Sequence, residues 1–225
     1  MKWRAMFVAV AGGAVVIASA GSAAVSGRVE RLTSSDNALA FRIGIDASEL
    51  GAGWTGRLDV MPSSSGTWRC KGLNLDPPVT VTGRTSGRFN GPRYDLEATV
   101  EVLKATAQVR AEWSAWAGRP AYPACVARVF ASSANSFRET VRLLSARTVP
   151  LPRMGDRSRV VEIRYVRLND KAERVIVSGF VTVGRAEFSP LMDTSTALRA
   201  AALASVVRAG HRFARRASRA DELRR

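Results

Sequence analysis

Hydrophobic and polar positions along this chain fall into blocks with different periods, and the blocks predict most of its elements. Val79, Val81 and Thr85 alternate with polar residues, Gly87 to Pro92 interrupts the run, and Leu96, Ala98, Val100 and Val102 alternate on the far side. That pattern predicts a hairpin. From Lys104 to Ala117 the period changes: Val109, Trp113 and Trp116 stand at i, i+4 and i+7, one face of a helix that Gly118-Arg119-Pro120 ends. A second short helix is expected from about Pro123 to Ser132, carrying Cys125 and Phe130.

Four Val- and Ile-rich runs follow, 140–149, 159–168, 172–183 and 185–191, separated by Pro150-Leu151-Pro152, Asn169-Asp170-Lys171 and Gly184. Gaps this short suit antiparallel neighbours, because parallel strands need a long crossover. The segment 194–217 reads as a long helix. Thr194 or Ser195 is its expected N-cap, and Leu198, Ala202, Val206, Ala209 and Phe213 form its apolar stripe. The beginning of the chain is less legible. Residues 25–37 read as a polar linker, and 38–45 fit either a short strand or the end of a helix. Ser48 to Trp54 is turn-rich, and Met61 to Gly66 is a loop. The order hairpin, helix pair, four-strand meander and long helix describes one α+β domain over 38–217. Its helices pack on an antiparallel sheet, and a basic tail over 218–225 follows.

The leader changes where this domain is expected to work. Lys2 and Arg4 precede an uncharged stretch, Ala5 to Val25, ending in Ala18-Ser19-Ala20 and Ser22-Ala23-Ala24. Small-x-small endings of this kind mark signal peptides, here residues 1–24. A retained N-terminal anchor is the competing reading, since a bilayer is spanned by roughly 20 residues. The Ala, Gly and Ser content makes the run a weak span. Bacterial lipid attachment would need a cysteine at the cleavage site, and the first cysteine is Cys70. The expected location is secreted or cell-envelope.

Export makes a bond between the chain's two cysteines, Cys70 and Cys125, the expected outcome. The loop it closes, about 55 residues, is worth roughly 4 kcal/mol on the chain-entropy view. No C-x-x-C spacing suggests redox work, and two thiols with one histidine make no credible metal set.

The formal charge is +15, almost wholly arginine. Such a balance invites an anionic lipid or wall polymer. Through most of the chain, arginines interleave with acids. The departure is at the end, where Arg208, Arg212, Arg215, Arg216 and Arg219 lead a stretch with few acids. Nucleic acid is not the expected partner.

Catalytic chemistry finds little footing. The single histidine, His211, lies in that basic stretch, and no nucleophile motif or phosphate-binding glycine loop is present. Paired carboxylates are conceivable from Asp76 with Glu97 or Glu101. No cofactor is expected. Trp113 and Trp116 read as core. The loop residues Trp54 and Trp68 either edge a cleft or plug the end of the core.

Several segments are familiar together: Glu49-Leu50-Gly51-Ala52-Gly53-Trp54, Cys70 with Thr82-Gly83, the helix from Thr106 to Trp116 followed by Cys125, Gly184-Arg185, and an Ala-rich terminal helix. In this order they resemble uncharacterised exported actinobacterial proteins and, more distantly, the extracellular sensor domains of mycobacterial receptor Ser/Thr kinases. The resemblance spans roughly residues 38–215. It implies an α+β fold with a cleft suited to an unknown ligand. One possible disulfide stands where those sensors have two. The reading is an exported, non-catalytic, ligand- or partner-binding domain of the cell envelope. The alternatives are a basic protein held electrostatically to anionic lipid or wall polymer, and a hydrolytic enzyme.

Overall fold

The computed structural model describes residues 27–59, 70, 73–74, 77–136 and 140–222. The leader, Trp68, Asp76 and residues 223–225 lie outside them. The alternating runs form the expected hairpin, β3 (Val79–Asn90) and β4 (Asp95–Leu103). They also form the expected meander, β5 (Val141–Val149), β6 (Arg157–Arg167), β7 (Glu173–Val183) and β8 (Ala186–Ser195). The two sets join because β4 pairs antiparallel with β8, placing Glu101 opposite Glu187 and Asp95 opposite Asp193. With β1 (Arg28–Glu30) and β2 (Thr55–Asp59), the result is one sheet in the order β1-β3-β4-β8-β7-β6-β5, with β2 also paired to β3.

Both faces of this sheet are covered. Against one lie α1 (Ser34–Ile43), the single turn α2 (Ala47–Leu50) and the long α5 (Arg199–Glu222). They enclose Leu96, Ala98, Val100, Val102, Val177, Phe188 and Phe213, with the last two rings stacked at 5.1 Å. Against the other lie α3 (Thr106–Glu112), a π-helical turn over Trp113–Ala117, and α4 (Tyr122–Ser136). Here Trp116 packs on Phe180 at 4.7 Å and on Tyr122 at 5.2 Å, while Phe130 packs on Tyr165 at 4.7 Å. Trp113 and Trp116 both join this cluster, as their spacing predicts.

The structure corrects several boundaries. Residues read as a linker hold β1 (Arg28–Glu30), parallel to the start of β3, and the beginning of α1. Thr33 caps α1 by accepting the Asp36 N–H at 3.2 Å, and of the ambiguous run 38–45, residues 38–43 are helix and none is strand. Gly87 is no turn residue. It lies inside β3 because the backbone of β2 (Thr55–Asp59) crosses it, leaving no room for a Cβ beside the Arg57 carbonyl. At the other end, Thr194 belongs to β8. Ser195 precedes a short 3₁₀ turn over Thr196–Leu198 and makes no side-chain cap bond, so α5 starts later than expected. It also continues to Glu222, so residues 218–222 of the expected tail are helical.

Candidate functional site

The Cys70–Cys125 disulfide is present, with Cα atoms 5.7 Å apart. It ties Cys70 to the first turn of α4, and Leu73 packs against the cluster beneath.

An open depression of about 420 Å³ lies at one end of the sheet. The β3–β4 turn supplies Gly91, Arg93 and Tyr94, the neighbouring strand ends supply Asp95, Arg174 and Asp193, and the approach to α5 adds Thr194, Ser195 and Leu198. Strand alternation explains why polar groups collect there. Asp95 and Asp193 are register partners on adjacent strands, and Arg174 follows on β7. Asp193 accepts hydrogen bonds from Arg174 Nε at 3.0 Å and from the Tyr165 hydroxyl at 2.8 Å. Burial raises the Asp193 carboxyl above its ordinary range, with Arg174 and Tyr165 pulling back. Arg88 bridges Asp95 at 2.5 Å. Beside them, Glu97 is pushed up from 4.5 to about 7, chiefly by burial and further by Asp95 and Asp193, against the pull of Arg88. Arg93 is exposed and makes no ion pair among the described residues.

Trp54 stands behind this depression, not in its lining. Its ring meets Tyr94 edge-on at 5.6 Å, and it packs against the large cluster under α5. Gly91 has no side chain to hold the indole away.

A second polar cluster is closed. Arg28 reaches across from β1 to Glu101 and, at 2.8 Å, to Glu112. Arg84 bridges Glu30 at 2.9 Å and Glu101 at 3.2 Å. Glu187, 2% exposed, completes the group, and neither of its carboxyl oxygens finds a hydrogen-bond partner among the described residues. Burial, then repulsion from Glu112, drives its carboxyl well above the ordinary range. Burial drives Glu112 upward too, opposed by Arg28. Reading along the chain did not find this cluster. The pairing of Asp76 with Glu97 or Glu101 lies outside the described residues at Asp76; Glu97 and Glu101 themselves share a β4 face about 13 Å apart.

Among the described residues no group of three or more acids, histidines or cysteines could hold a metal, and no helix is long and apolar enough to cross a membrane. The basic C-terminal residues divide. Arg216 turns inward to Asp46 at 2.8 Å and Glu49 at 3.0 Å, whereas Arg208, Arg212, Arg215 and Arg219 are exposed along α5 and His211 is half-buried beside them.

The sequence matches no protein-family model and no curated protein. Among solved structures, the chain is similar to the solution structure of cyanobacterial PsbP (CyanoP) from Synechocystis sp. PCC 6803, with a TM-score of 0.36 and 13% identity, covering 67% of this chain and 74% of that one.

Proposed function

We propose that the protein is an exported, non-catalytic binding domain of the cell envelope, and that the depression at the end of the sheet receives a small anionic ligand. The observation that carries this is the state of its cations. Arg174 is oriented by a buried carboxylate, while exposed Arg93 has no acid of its own. A guanidinium fork suits a carboxylate or phosphate, and the hydroxyls of Thr194 and Ser195 add donors beside it. The volume, about 420 Å³, fits a group the size of an amino acid or monosaccharide. Export is supported by the cysteine crosslink, which persists in oxidising compartments.

The test is a thermal-shift and calorimetric screen of sugar phosphates, uronic acids and amino acids, using protein recovered from its host. A hit weakened at least tenfold by Arg93→Ala supports the site. A panel without a hit, or a hit indifferent to Arg93→Ala and Arg174→Ala, overturns it. Intact mass from the same sample checks the leader: loss of about 20 to 25 residues marks cleavage.

One observation favours an acid–base hydrolase instead: Asp95 and Asp193 face each other across β4 and β8 with Glu97, at about 7, alongside. Both aspartates are already engaged by arginine, Asp95 by Arg88 and Asp193 by Arg174, which occupies carboxylate oxygens that an acid–base role would need, and that weighs toward binding. Turnover of envelope glycans or esters that Glu97→Gln abolishes would reverse this judgement.

A further inference from the structure

Arg208, Arg212, Arg215 and Arg219 are all exposed on α5 at i, i+4, i+7 and i+11. At about 100° per residue they fall within roughly 60° of the helix circumference, in a row about 16 Å long. None makes an ion pair among the described residues; Arg208 donates to the Ser205 hydroxyl at 2.9 Å. Other exposed arginines also make no ion pair among the described residues, Arg31, Arg42, Arg110 and Arg128 among them, but these are scattered over different elements, whereas the four on α5 form one row on one helix face. On this helix the neighbouring Arg216 takes up the acids that α2 and its N-cap present, Glu49 and Asp46, and Glu222 stands beyond the row's end. The row therefore concentrates unpaired positive charge on a single helix face.

We infer that this face of α5 docks a linear anionic glycopolymer, gripped by the forked guanidinium groups of Arg208, Arg212, Arg215 and Arg219. A membrane surface fits less well. Helices that lie in a bilayer interface insert their apolar face, and here that face, Ala202, Val206, Ala209 and Phe213, is buried against the sheet. The exposed large apolar residues among those described are Val29, Leu32, Phe41, Leu144 and Leu168, and none of them is on α5. Single-stranded nucleic acid would want an aromatic platform for its bases, and no exposed aromatic lies on this helix. The crosslink points to an oxidising compartment, where such polymers rather than nucleic acids are the usual linear polyanions. The inference does not depend on the cleft: losing either site leaves the other intact.

The experiment measures binding of the disulfide-bonded protein to poly(glycerol phosphate), to phosphatidylglycerol vesicles and to duplex DNA, over a range of salt. The glycerol-phosphate polymer should bind tightest, with an affinity that falls with salt at a log–log slope of about 3 for four contacts. Replacing the row with glutamine (R208Q/R212Q/R215Q/R219Q) should weaken it at least tenfold and flatten the slope. The double variant R212Q/R215Q gives the same direction with less charge removed, should the quadruple misfold. As a control, R31Q/R42Q/R110Q/R128Q removes equal charge from other exposed positions and should cost less than threefold. Equal losses in row and control variants would reduce the effect to net charge and overturn the inference, as would tighter binding to vesicles or DNA.

Discussion

At Arg28 a guanidinium leaves water to meet two carboxylates, Glu101 and Glu112, in a setting where Glu187 adds a third acid. Removing one partner of a buried ion pair strands the other charge, at a cost of about 3–5 kcal/mol. Arg28→Ala should therefore lower unfolding free energy by about that amount, read from the urea midpoint; a loss below about 1 kcal/mol would mean that β1 is not held by this contact. Glu97 yields a prediction with a pH window. Its folded carboxyl titrates near 7 and its ordinary value is 4.5. Between those values the folded state keeps a proton that the unfolded chain has lost, so this group's stabilisation is complete below the window and is lost as pH rises through it. Glu97→Gln should be nearly neutral at pH 4 and stabilising at pH 8, by no more than about 3 kcal/mol. A stabilisation of equal size at both pH values would show that titration is not its cause. Neither effect was legible along the chain, because Arg28 sits in a polar run and its partners come from two distant elements.

Elements were legible where period and burial agree. The meander strands run nine to eleven residues and carry Val- and Ile-rich stretches; β7, covered on both faces, is buried almost along its whole length, so a continuous apolar run marks it and survives tertiary packing. The misread segments share a cause, which is that a neighbour overrides local composition. Gly87 looks like a breaker, yet it lies within β3 where the β2 backbone passes too close for a side chain, as the Asp36 region of α1 does at Gly83. Likewise α1 begins in polar residues because its fixing contacts are distant. Arg185, from the β7–β8 turn that Gly184 permits with φ +56°, grips the Asp36 carboxylate at 2.5 and 2.8 Å. The disulfide is an element-level tie that the cysteine count did reveal. Reducing it, or making Cys70→Ser with Cys125→Ser, should cost about 4 kcal/mol or somewhat less, because the unfolded chain regains a loop of 55 residues. Equal chemical-denaturation midpoints with and without reductant would remove that role.

For the molecule as a whole, buried charge is largely paired charge. Glu101, Glu162 and Glu187 on the sheet and Glu112 at the end of α3 are buried. Arg28 and Arg84 reach in to meet Glu101 and Glu112, and most other arginines lie at or near the surface. This explains why the α+β class was readable but the polar sites were not. Alternation tells which residues share a face, but only the β4–β8 pairing decides that Asp95 meets Asp193 and Glu101 meets Glu187. It also sets how the protein should respond to salt. With a formal charge of +15, exposed arginines repel one another over distances that salt screens at about 10 Å in 0.1 M solution. The buried pairs, Arg28 with Glu112 and Arg84 with Glu30 among them, lie inside that length and away from the ions. Screening should therefore relieve repulsion more than it weakens attraction, and melting temperature should rise by a few degrees between 20 and 300 mM sodium chloride. The row variant R208Q/R212Q/R215Q/R219Q should melt higher than the parent at low salt and converge with it at high salt, because the repulsion it removes is the one that salt screens. A melting temperature that falls with salt would place the balance with surface ion pairs such as Arg164 with Glu173, and the arginine row would then be held within the fold's own charge pattern rather than left open for a partner.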